Sequence, residues 1–337
     1  MPASDFRLAA LNDWLRNDLG RAVDRLEPAS SDASFRRYFR GFENGHSYIV
    51  MDAPPPQENV RPFLAVAELM RGAGVQTPAV HAAEPEQGFV LLGDFGTKSY
   101  LDHLDETSVD RLYGDALDAL LRLQTGVDTA TAALPAYDEA LLRRELEIFR
   151  AWFLGRLLGL ELEPGVAAVL DEAWAVLIAS ALEQPRVCVH RDYHSRNLMV
   201  TDAANPGVLD FQDAVVGPIT YDLVSLLRDC YVAWPSERVA AWLDGYRDRL
   251  REAGLLDAAG AARFRRWFDL QGMQRHLKAI GIFARLKLRD GKPGYLKDIP
   301  RTFAYVVEAG RGYPELAGFT GFLETVIRPR LAEALTA

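Results

Sequence analysis

Residues 187–200 read Val-Cys-Val-His-Arg-Asp-Tyr-His-Ser-Arg-Asn-Leu-Met-Val, and residues 208–213 read Val-Leu-Asp-Phe-Gln-Asp. The β-branched run at the start predicts a short strand that leads into a polar loop with Asp192 and, five positions later, Asn197. A second apolar pair leads directly to Asp210. Two short strands are therefore expected to present three oxygen-bearing side chains at their ends.

These side chains are the set that phosphoryl transfer needs. An aspartate orients and deprotonates the attacking hydroxyl, while an asparagine and a second aspartate hold Mg²⁺ on the nucleotide phosphates. Residues 190–197 match the kinase pattern H-R-D-x-x-x-x-N, and Asp210-Phe211-Gln212 stands where a kinase has D-F-G. Such residues can also cap helices or close turns, but turn chemistry gives no reason for an aspartate after the second strand. The spacing favours Asp192 as base and Asn197 and Asp210 as metal ligands.

The composition indicates a globular protein that is long enough for two domains. The chain has 337 residues, 49% of them hydrophobic, and a formal net charge of -9, which argues against nucleic acid or an anionic membrane surface as the main partner. No apolar run has the length of a signal peptide or an uninterrupted membrane span, so a cytoplasmic protein is expected. Cys188 and Cys230 lie in apolar context and are predicted to be buried free thiols.

Strand signals dominate the N-terminal part of the chain. The small residues Ser31, Asp32, Ala33 and Ser34 precede an alternating run, and Asn44-Gly45 predicts a tight hairpin turn. Small residues at a hairpin tip let backbone amides approach a triphosphate, so residues 31–34 are predicted to bind phosphate, with a plain polar loop as the alternative. A later apolar strand ends in Leu91, Leu92, Gly93 and Asp94, whose backbone is expected to face the adenine.

The chain lacks the lysine that a kinase carries on the strand after this hairpin, since no lysine occurs before Lys98. Arg36, Arg37 and Arg40 are the candidates to replace it, because arginine can bind phosphate oxygens in a bidentate manner. Arg36 and Arg37 point to opposite sides of a strand, so at most one of them can face the nucleotide, and all three can equally form a solvated face. Glu68, on a predicted helix, either orients such an arginine or faces solvent.

Helical periodicity dominates from about residue 99 onward, on both sides of the Asp192 segment. Strand signals before this point and helices after it predict the α+β class. The kinase motifs at 190–197 and 210–212 add the expectation of a bilobal protein-kinase-like arrangement, with a small β-rich N-terminal nucleotide-binding lobe (1–93) and a larger, mainly α-helical lobe (94–337) for catalysis and substrate binding. Asp222 opens one of the predicted helices. It either accepts hydrogen bonds from the backbone of the Asp192 loop or charges the helix N-terminus.

The motifs at 190–197, 209–213 and 217–223 together resemble those of the aminoglycoside phosphotransferase-like kinases, and the resemblance extends over nearly the whole chain. Within that superfamily, residues 31–40 and 51–55 are similar to those of the bacterial anomeric sugar kinases. Those enzymes phosphorylate N-acetylmuramate and N-acetylglucosamine on the anomeric hydroxyl during peptidoglycan recycling.

The resemblance implies ATP and Mg²⁺ as cofactors and a small sugar as the acceptor. It also implies the same roles for Asp192, Asn197 and Asp210, a phosphate loop at residues 31–34 and an adenine-side hinge at residues 91–94. Two alternatives stay open. One is a related kinase that acts on an aminoglycoside or an amino alcohol, and the other is a pseudokinase that binds nucleotide without turnover.

The charge pattern bears on the acceptor. Residues 263–301 contain eleven Lys and Arg against three Asp, which would repel a polycationic aminoglycoside and attract a carboxylate, unless these residues form a solvated helix face. The predicted substrate-binding residues comprise two that flank Asp192, three on one predicted helix, and one in the second motif: His194 and Arg196; Gln271, Arg275 and His276; and Asp213.

Overall fold

The computed structural model describes residues 5–31 and 35–336. Short π-helical turns span Trp14–Asp18, Phe149–Leu157 and Leu323–Ile327, and short 3₁₀ turns span Pro293–Asp298 and Pro314–Leu316. In chain order, the helices and strands of this described part are α1 (Phe6–Asp13), β1 (Arg25–Ser31), β2 (Arg37–Glu43), β3 (His46–Asp52), α2 (Arg61–Gly72), β4 (Val80–Glu84), β5 (Phe89–Gly93), α3 (Tyr100–His103), α4 (Val109–Gly126), α5 (Glu139–Ile148), α6 (Pro164–Leu182), β6 (Arg186–Val189), β7 (Leu198–Met199), β8 (Gly207–Val208), β9 (Val215–Pro218), α7 (Tyr221–Leu227), α8 (Ser236–Glu252), α9 (Ala258–Asp290), α10 (Ile299–Arg311), α11 (Ala317–Phe322) and α12 (Arg328–Thr336).

The chain divides into two compact units. Unit 1 comprises Met1–Ala119 and Arg196–Asp213, and unit 2 comprises Leu120–Ser195 and Ala214–Ala337. The division of function between lobes at residues 1–93 and 94–337 stays a prediction.

Unit 1 is built on an antiparallel sheet with the strand order β1-β2-β3-β5-β4. The predicted hairpin turn between β2 and β3 is present, with positive φ angles of 52° at Asn44 and 80° at Gly45. Pro28 lies in edge strand β1 next to an irregularity in its pairing with β2, a position where a missing N–H is tolerated. The short pair β7–β8 completes the strands of this unit.

Helix α1 packs on the sheet through an apolar cluster. Trp14, which follows α1, is buried with its ring centroid 5.7 Å from that of Phe89 on β5. The fully buried carboxylate of Asp52, at the end of β3, accepts hydrogen bonds from Nε of Arg7 and Nε of Arg37, each at 3.0 Å. Because a buried carboxylate is costly without such donors, this pairing ties α1 and β2 to the end of β3.

Unit 2 is organised around the 33-residue helix α9. Its buried residues include Trp267 and Phe268 towards its start and Phe283 and Leu286 towards its end. At Gly281 the backbone of Ile148 and Phe149 comes so close that an added Cβ would lie 2.6 Å from the Phe149 nitrogen, so only glycine permits this crossing. Helix α9 contacts α5, α6, α7 and α10.

Helix α6 is long and apolar enough, by composition, to be compatible with a membrane span. Its buried residues include Trp174, which packs edge-on against Phe149 and Phe319, as expected for a core helix. Cys188 and Cys230 are buried free thiols, as predicted. The α+β class, with a β-rich part and a larger helical part, is confirmed.

Candidate active site

The loop that carries Asp192 is held by a buried carboxylate. Strand β6, paired with β9, leads into residues 190–195. Asp222 accepts hydrogen bonds from the backbone nitrogens of His190 (2.6 Å) and Arg191 (2.9 Å), and Arg191 has a φ of 78°, a strained value for a non-glycine residue. Of the two interpretations of Asp222, the structure supports the one in which it shapes this loop. Burial raises the pKa of Asp222 to about 7, against the effect of the two amides.

A second buried aspartate, which sequence reasoning missed, holds the other end of the loop. Asp229 accepts hydrogen bonds from the backbone nitrogens of Ser195 (2.9 Å) and Tyr231 (2.8 Å). Its signal in the sequence is an acidic residue two positions after an apolar helix, α7, and that signal also fits an ordinary helix end. Two carboxylates from one short segment therefore fix the backbone on both sides of Asp192.

Asp192 lines a cavity of about 90 Å³ within unit 2 together with cationic, aromatic and apolar side chains. Burial alone would raise the pKa of Asp192, but the Lys278 ammonium, followed by His194 and Arg275, lowers it to about 2. The carboxylate is therefore ionised at neutral pH and can accept a proton from a bound hydroxyl group. The lining consists of Asp192, His194, Tyr221, Cys230, Tyr231, Arg275, Lys278, Ala279, Ile282 and Phe283.

A charge network under this cavity was also missed by sequence reasoning. Glu145 on α5 is buried and accepts hydrogen bonds from Arg191 Nη2 (2.5 Å), Tyr137 Oη (2.5 Å) and Gln274 Nε2 (3.0 Å). It also forms an ion pair with Lys278 Nζ (3.1 Å). Burial raises the pKa of Glu145, but Lys278 and then Arg191 reverse this and lower it. One carboxylate therefore fixes two of the cations that act on Asp192.

In unit 1, the structure brings Asn197 and Asp210 together. Asn197 precedes β7, Asp210 follows the short pair β7–β8, and Asn197 Nδ2 lies 3.4 Å from Asp210 Oδ2. Asp210 has a φ of 63°, and its Oδ1 accepts a hydrogen bond from Gln212 Nε2 at 2.8 Å. Gln212, which stands where a kinase has glycine, thus orients the aspartate.

The donor set of this pair fits Mg²⁺. A carboxylate and a carboxamide oxygen are hard ligands, and Mg²⁺ commonly takes one or two protein ligands and completes its shell with phosphate oxygens and water. Within residues 5–31 and 35–336 there is no cluster of three or more His, Cys, Asp or Glu side chains that could hold a metal without such a partner. Asn197 and Asp210 are thus suited to a metal that arrives with a nucleotide.

Unit 1 also contains a cavity of about 460 Å³, within the usual size range of small-molecule sites. Leu92, Gly93 and Asp94 line it, whereas Leu91 is buried in β5. Asp94 binds the Arg40 guanidinium, whose Nε lies 2.6 Å from Oδ2. The wall of this cavity also includes the predicted metal ligands Asn197 and Asp210. Phe63 and Phe211, whose ring centroids lie 4.7 Å apart, line it as well, and the sequence assigned neither of them to the nucleotide site.

The arginines before and on β2 have different partners. Arg36 forms an ion pair with Glu58 (3.0 Å), whereas Arg37 is bound to Asp52 and Asp5. Glu68 is exposed, and the acid that pairs with Arg36 is Glu58. Of the predicted phosphate loop, Asp32, Ala33 and Ser34 lie outside the described residues, and Ser31 is described only as the last residue of β1.

The six predicted substrate-binding residues have different surroundings. His194 and Arg275 line the cavity with Asp192, whereas Arg196 lines the cavity of unit 1 and Asp213 is exposed. The remaining two are buried on α9. Gln271 Nε2 donates to Gln274 Oε1 (2.8 Å), and His276 Nε2 donates to the Arg228 carbonyl (2.8 Å).

Residues 25–265 match the model of a family described as the phosphotransferase enzyme family, abbreviated APH. The chain belongs to this family. It is 51% identical over 327 residues to an N-acetylmuramate/N-acetylglucosamine kinase from Pseudomonas putida, and this alignment covers 94% of this chain and 96% of that relative. It is 50% identical over 342 residues to a protein of the same name from Pseudomonas aeruginosa, and that alignment covers 98% of this chain and 100% of the relative.

The solved structures of the APH family show the same fold. The ADP-bound crystal structure of aminoglycoside phosphotransferase APH(2'')-Ib superimposes with a TM-score of 0.60, covering 89% of this chain and 98% of that chain at 15% sequence identity. The protein-kinase-like fold predicted from the sequence is thus confirmed, and the chain is a phosphotransferase of the alcohol-acceptor kinase type.

Proposed function

We propose that this APH-family chain transfers the γ-phosphoryl group of ATP to the anomeric hydroxyl of N-acetylmuramate, N-acetylglucosamine or both. The observation that carries the acceptor assignment is the lining of the cavity around Asp192, where Arg275 and Lys278 outnumber the one carboxylate. Such a lining suits a neutral or anionic sugar and disfavours a polycationic one. The names of the two Pseudomonas relatives support the same assignment.

In the proposed reaction, Asp192 orients the acceptor hydroxyl and takes its proton. A carboxylate with a pKa of about 2 is a weak base, but an anomeric hydroxyl is somewhat more acidic than an ordinary alcohol. Little covalent chemistry is required of the protein, so positioning of the hydroxyl and stabilisation of charge account for most of the rate. The amides held by Asp222 and Asp229 keep the Asp192 carboxylate in place for this step.

ATP and Mg²⁺ are the proposed cofactors. Asn197 and Asp210 would hold the metal ion, which neutralises negative charge on the nucleotide phosphates when bound. The cavity lined by Leu92, Gly93 and Asp94 is the proposed nucleotide site. Arg36 and residues 31–34 are the phosphate contacts that the sequence motif proposes. Such an enzyme would act in the cytoplasm in the recovery of cell-wall amino sugars.

ADP release with four acceptors tests the proposal. N-acetylmuramate, N-acetylglucosamine, glucose and kanamycin are each supplied to the native protein and to Asp192→Asn, which keeps the shape of the side chain. We expect turnover with the N-acetyl sugars and a loss of about 10²- to 10⁴-fold in the variant, the usual contribution of a general base. Asp202→Asn, at an exposed position, is the matched control and should keep full activity.

Turnover with kanamycin alone would contradict the acceptor assignment and support an aminoglycoside kinase. Nucleotide binding without turnover of any acceptor would support the pseudokinase alternative. For that case, thermal shifts are measured with ATP in the presence and absence of Mg²⁺. Stabilisation by ATP that does not depend on Mg²⁺ would favour the pseudokinase, because a catalytic site built on Asn197 and Asp210 requires the metal.

A further inference from the structure

Arg275 is a buried cation that forms no ion pair with a carboxylate among the described residues, although its charge acts on Asp192 from within the same cavity. Its side chain is 5% exposed, and its one hydrogen bond among the described residues goes from Nη1 to the sulfur of Cys230 at 3.7 Å. Its Nε is buried and has no hydrogen-bond partner there. A guanidinium has five N–H donors, and a thiol sulfur is a weak acceptor. Most of the hydrogen-bonding capacity of this side chain is therefore unused.

Two further acids in this part of unit 2 already have other partners. Both oxygens of Asp229 accept backbone hydrogen bonds, from Ser195 and Tyr231. Glu145 is paired with Lys278 and Arg191. A buried charge without a close ionic partner is costly in a folded protein. Side chains held at such a cost are typical of sites that bind a charged ligand, and a planar guanidinium matches a carboxylate in a bidentate manner.

The surroundings of Arg275 complete this site. Arg275 and Lys278 lie one turn apart on α9, and both line the same cavity as Asp192. Ala279, Ile282 and Phe283 add an apolar wall. A cation beside an apolar wall suits a small substituent that has both a carboxylate and a methyl group. His276, the neighbour of Arg275, does not compete for an anion because burial lowers its pKa to about 3 and keeps it neutral.

We propose that Arg275 binds the carboxylate of the lactyl group of N-acetylmuramate and makes this sugar the preferred acceptor over N-acetylglucosamine. The inference rests on the proposed function and adds to it the residue that distinguishes the two sugars. N-acetylglucosamine has no lactyl group, so it leaves Arg275 without its anion.

The test compares kcat/KM for both sugars in wild type, Arg275→Met and Arg275→Lys. Methionine keeps much of the side-chain length without the charge. We expect kcat/KM for N-acetylmuramate to fall by at least about 30-fold in Arg275→Met, the lower end for truncating one partner of a buried charge pair. N-acetylglucosamine should lose much less than N-acetylmuramate, because it offers no carboxylate to lose, so the ratio of the two kcat/KM values should fall in Arg275→Met. Arg275→Lys should recover part of the loss, since it keeps the charge without the bidentate geometry.

Two controls keep the test specific. Arg289→Met removes one positive charge from the exposed end of the same helix, where Arg289 pairs with Asp290 (2.8 Å), and should leave both sugars unaffected. The methyl ester of N-acetylmuramate removes the charge from the substrate instead. Wild type should discriminate the acid from the ester by the factor that Arg275→Met loses, and the variant should not discriminate them.

Equal losses for both sugars in Arg275→Met would contradict the inference, because they would assign Arg275 to the charge balance of Asp192 instead. Equal kcat/KM for acid and ester in wild type would contradict it without any variant, which covers the case in which Arg275→Met fails to fold. If wild type releases ADP with neither sugar, the proposed function and the inference both fail.

Discussion

Replacing Glu145 with glutamine tests the charge network under the Asp192 cavity. Glutamine keeps the size of the side chain and removes its charge, so the buried cations of Arg191 (18% exposed) and Lys278 (10% exposed) lose their shared carboxylate. Breaking a buried ion pair by removing one partner costs about 3–5 kcal/mol. We expect the free energy of unfolding of Glu145→Gln to fall by that amount.

Urea denaturation measures this change. A fall of 3–5 kcal/mol is large against a typical total stability of about 5–15 kcal/mol, so a shift of the unfolding midpoint should be plain. Glu139→Gln on the same helix is the matched control, because the Glu139–Arg143 pair is exposed and such pairs contribute at most about 1 kcal/mol. The double variant with Lys278→Met should be less destabilised than the sum of the single variants, since the two side chains interact directly.

A Glu145→Gln protein within about 1 kcal/mol of wild type would refute this reasoning. It would mean that the cations find water or other partners once the carboxylate is neutral. Strict additivity in the double variant would contradict the pairing of Glu145 with Lys278 in the same way.

Three further predictions concern the groups around Asp192 and Asp210. In Asp222→Asn, the side-chain NH₂ group points at one of the two backbone N–H groups that the carboxylate accepts, so the free energy of unfolding in urea should fall by about 1–3 kcal/mol. An unchanged unfolding midpoint would show that the loop does not depend on the carboxylate. In wild type, Asp192 has a pKa of about 2, so its protonation should not limit kcat/KM between pH 5 and 8. Lys278→Met raises that pKa, and activity should begin to fall at a higher pH as the solution is acidified, whereas superimposable pH profiles would contradict the role given to Lys278. Gln212→Leu removes the hydrogen bond that orients Asp210 and should raise the Mg²⁺ concentration for half-maximal activity by about 10-fold, with an unchanged Mg²⁺ requirement as the contrary result.

The parts of the fold that local pattern determines could be predicted from the sequence. The Asn44-Gly45 turn requires two residues that tolerate positive φ, and the long amphipathic helices show their period directly. Strand β1 was missed because Pro28 interrupts it and its pairing with β2 is irregular. Strand β9 was also missed, since residues 217–223 predict a helix, whereas the structure has a strand to Pro218 and a helix only from Tyr221.

The residues of the candidate site differ in the same way: some are identified by local pattern and others only by long-range packing. Asp192 and Asp210 stand out because each follows a short apolar run, and Asn197 stands out because it lies five positions after Asp192, so their identification needs no long-range information. Glu145 lies 46 residues from Arg191 in the chain, and nothing in its own helix distinguishes it from a surface glutamate. Arg37 and Arg40 are likewise indistinguishable by pattern, although one binds Asp52 and the other Asp94. Partners of this kind depend on which elements pack together, which the sequence pattern does not report.

The most direct test of the central claim is the position of the phosphate in the product. N-acetylglucosamine and MgATP are incubated with the protein, and the sugar phosphate is examined by phosphorus NMR with coupling to the sugar protons. The account predicts a single phosphorus signal coupled to the anomeric proton, which is absent when Asp192→Asn replaces the native protein. A phosphate coupled to the protons of another carbon, or no sugar phosphate from either N-acetyl sugar, would contradict it.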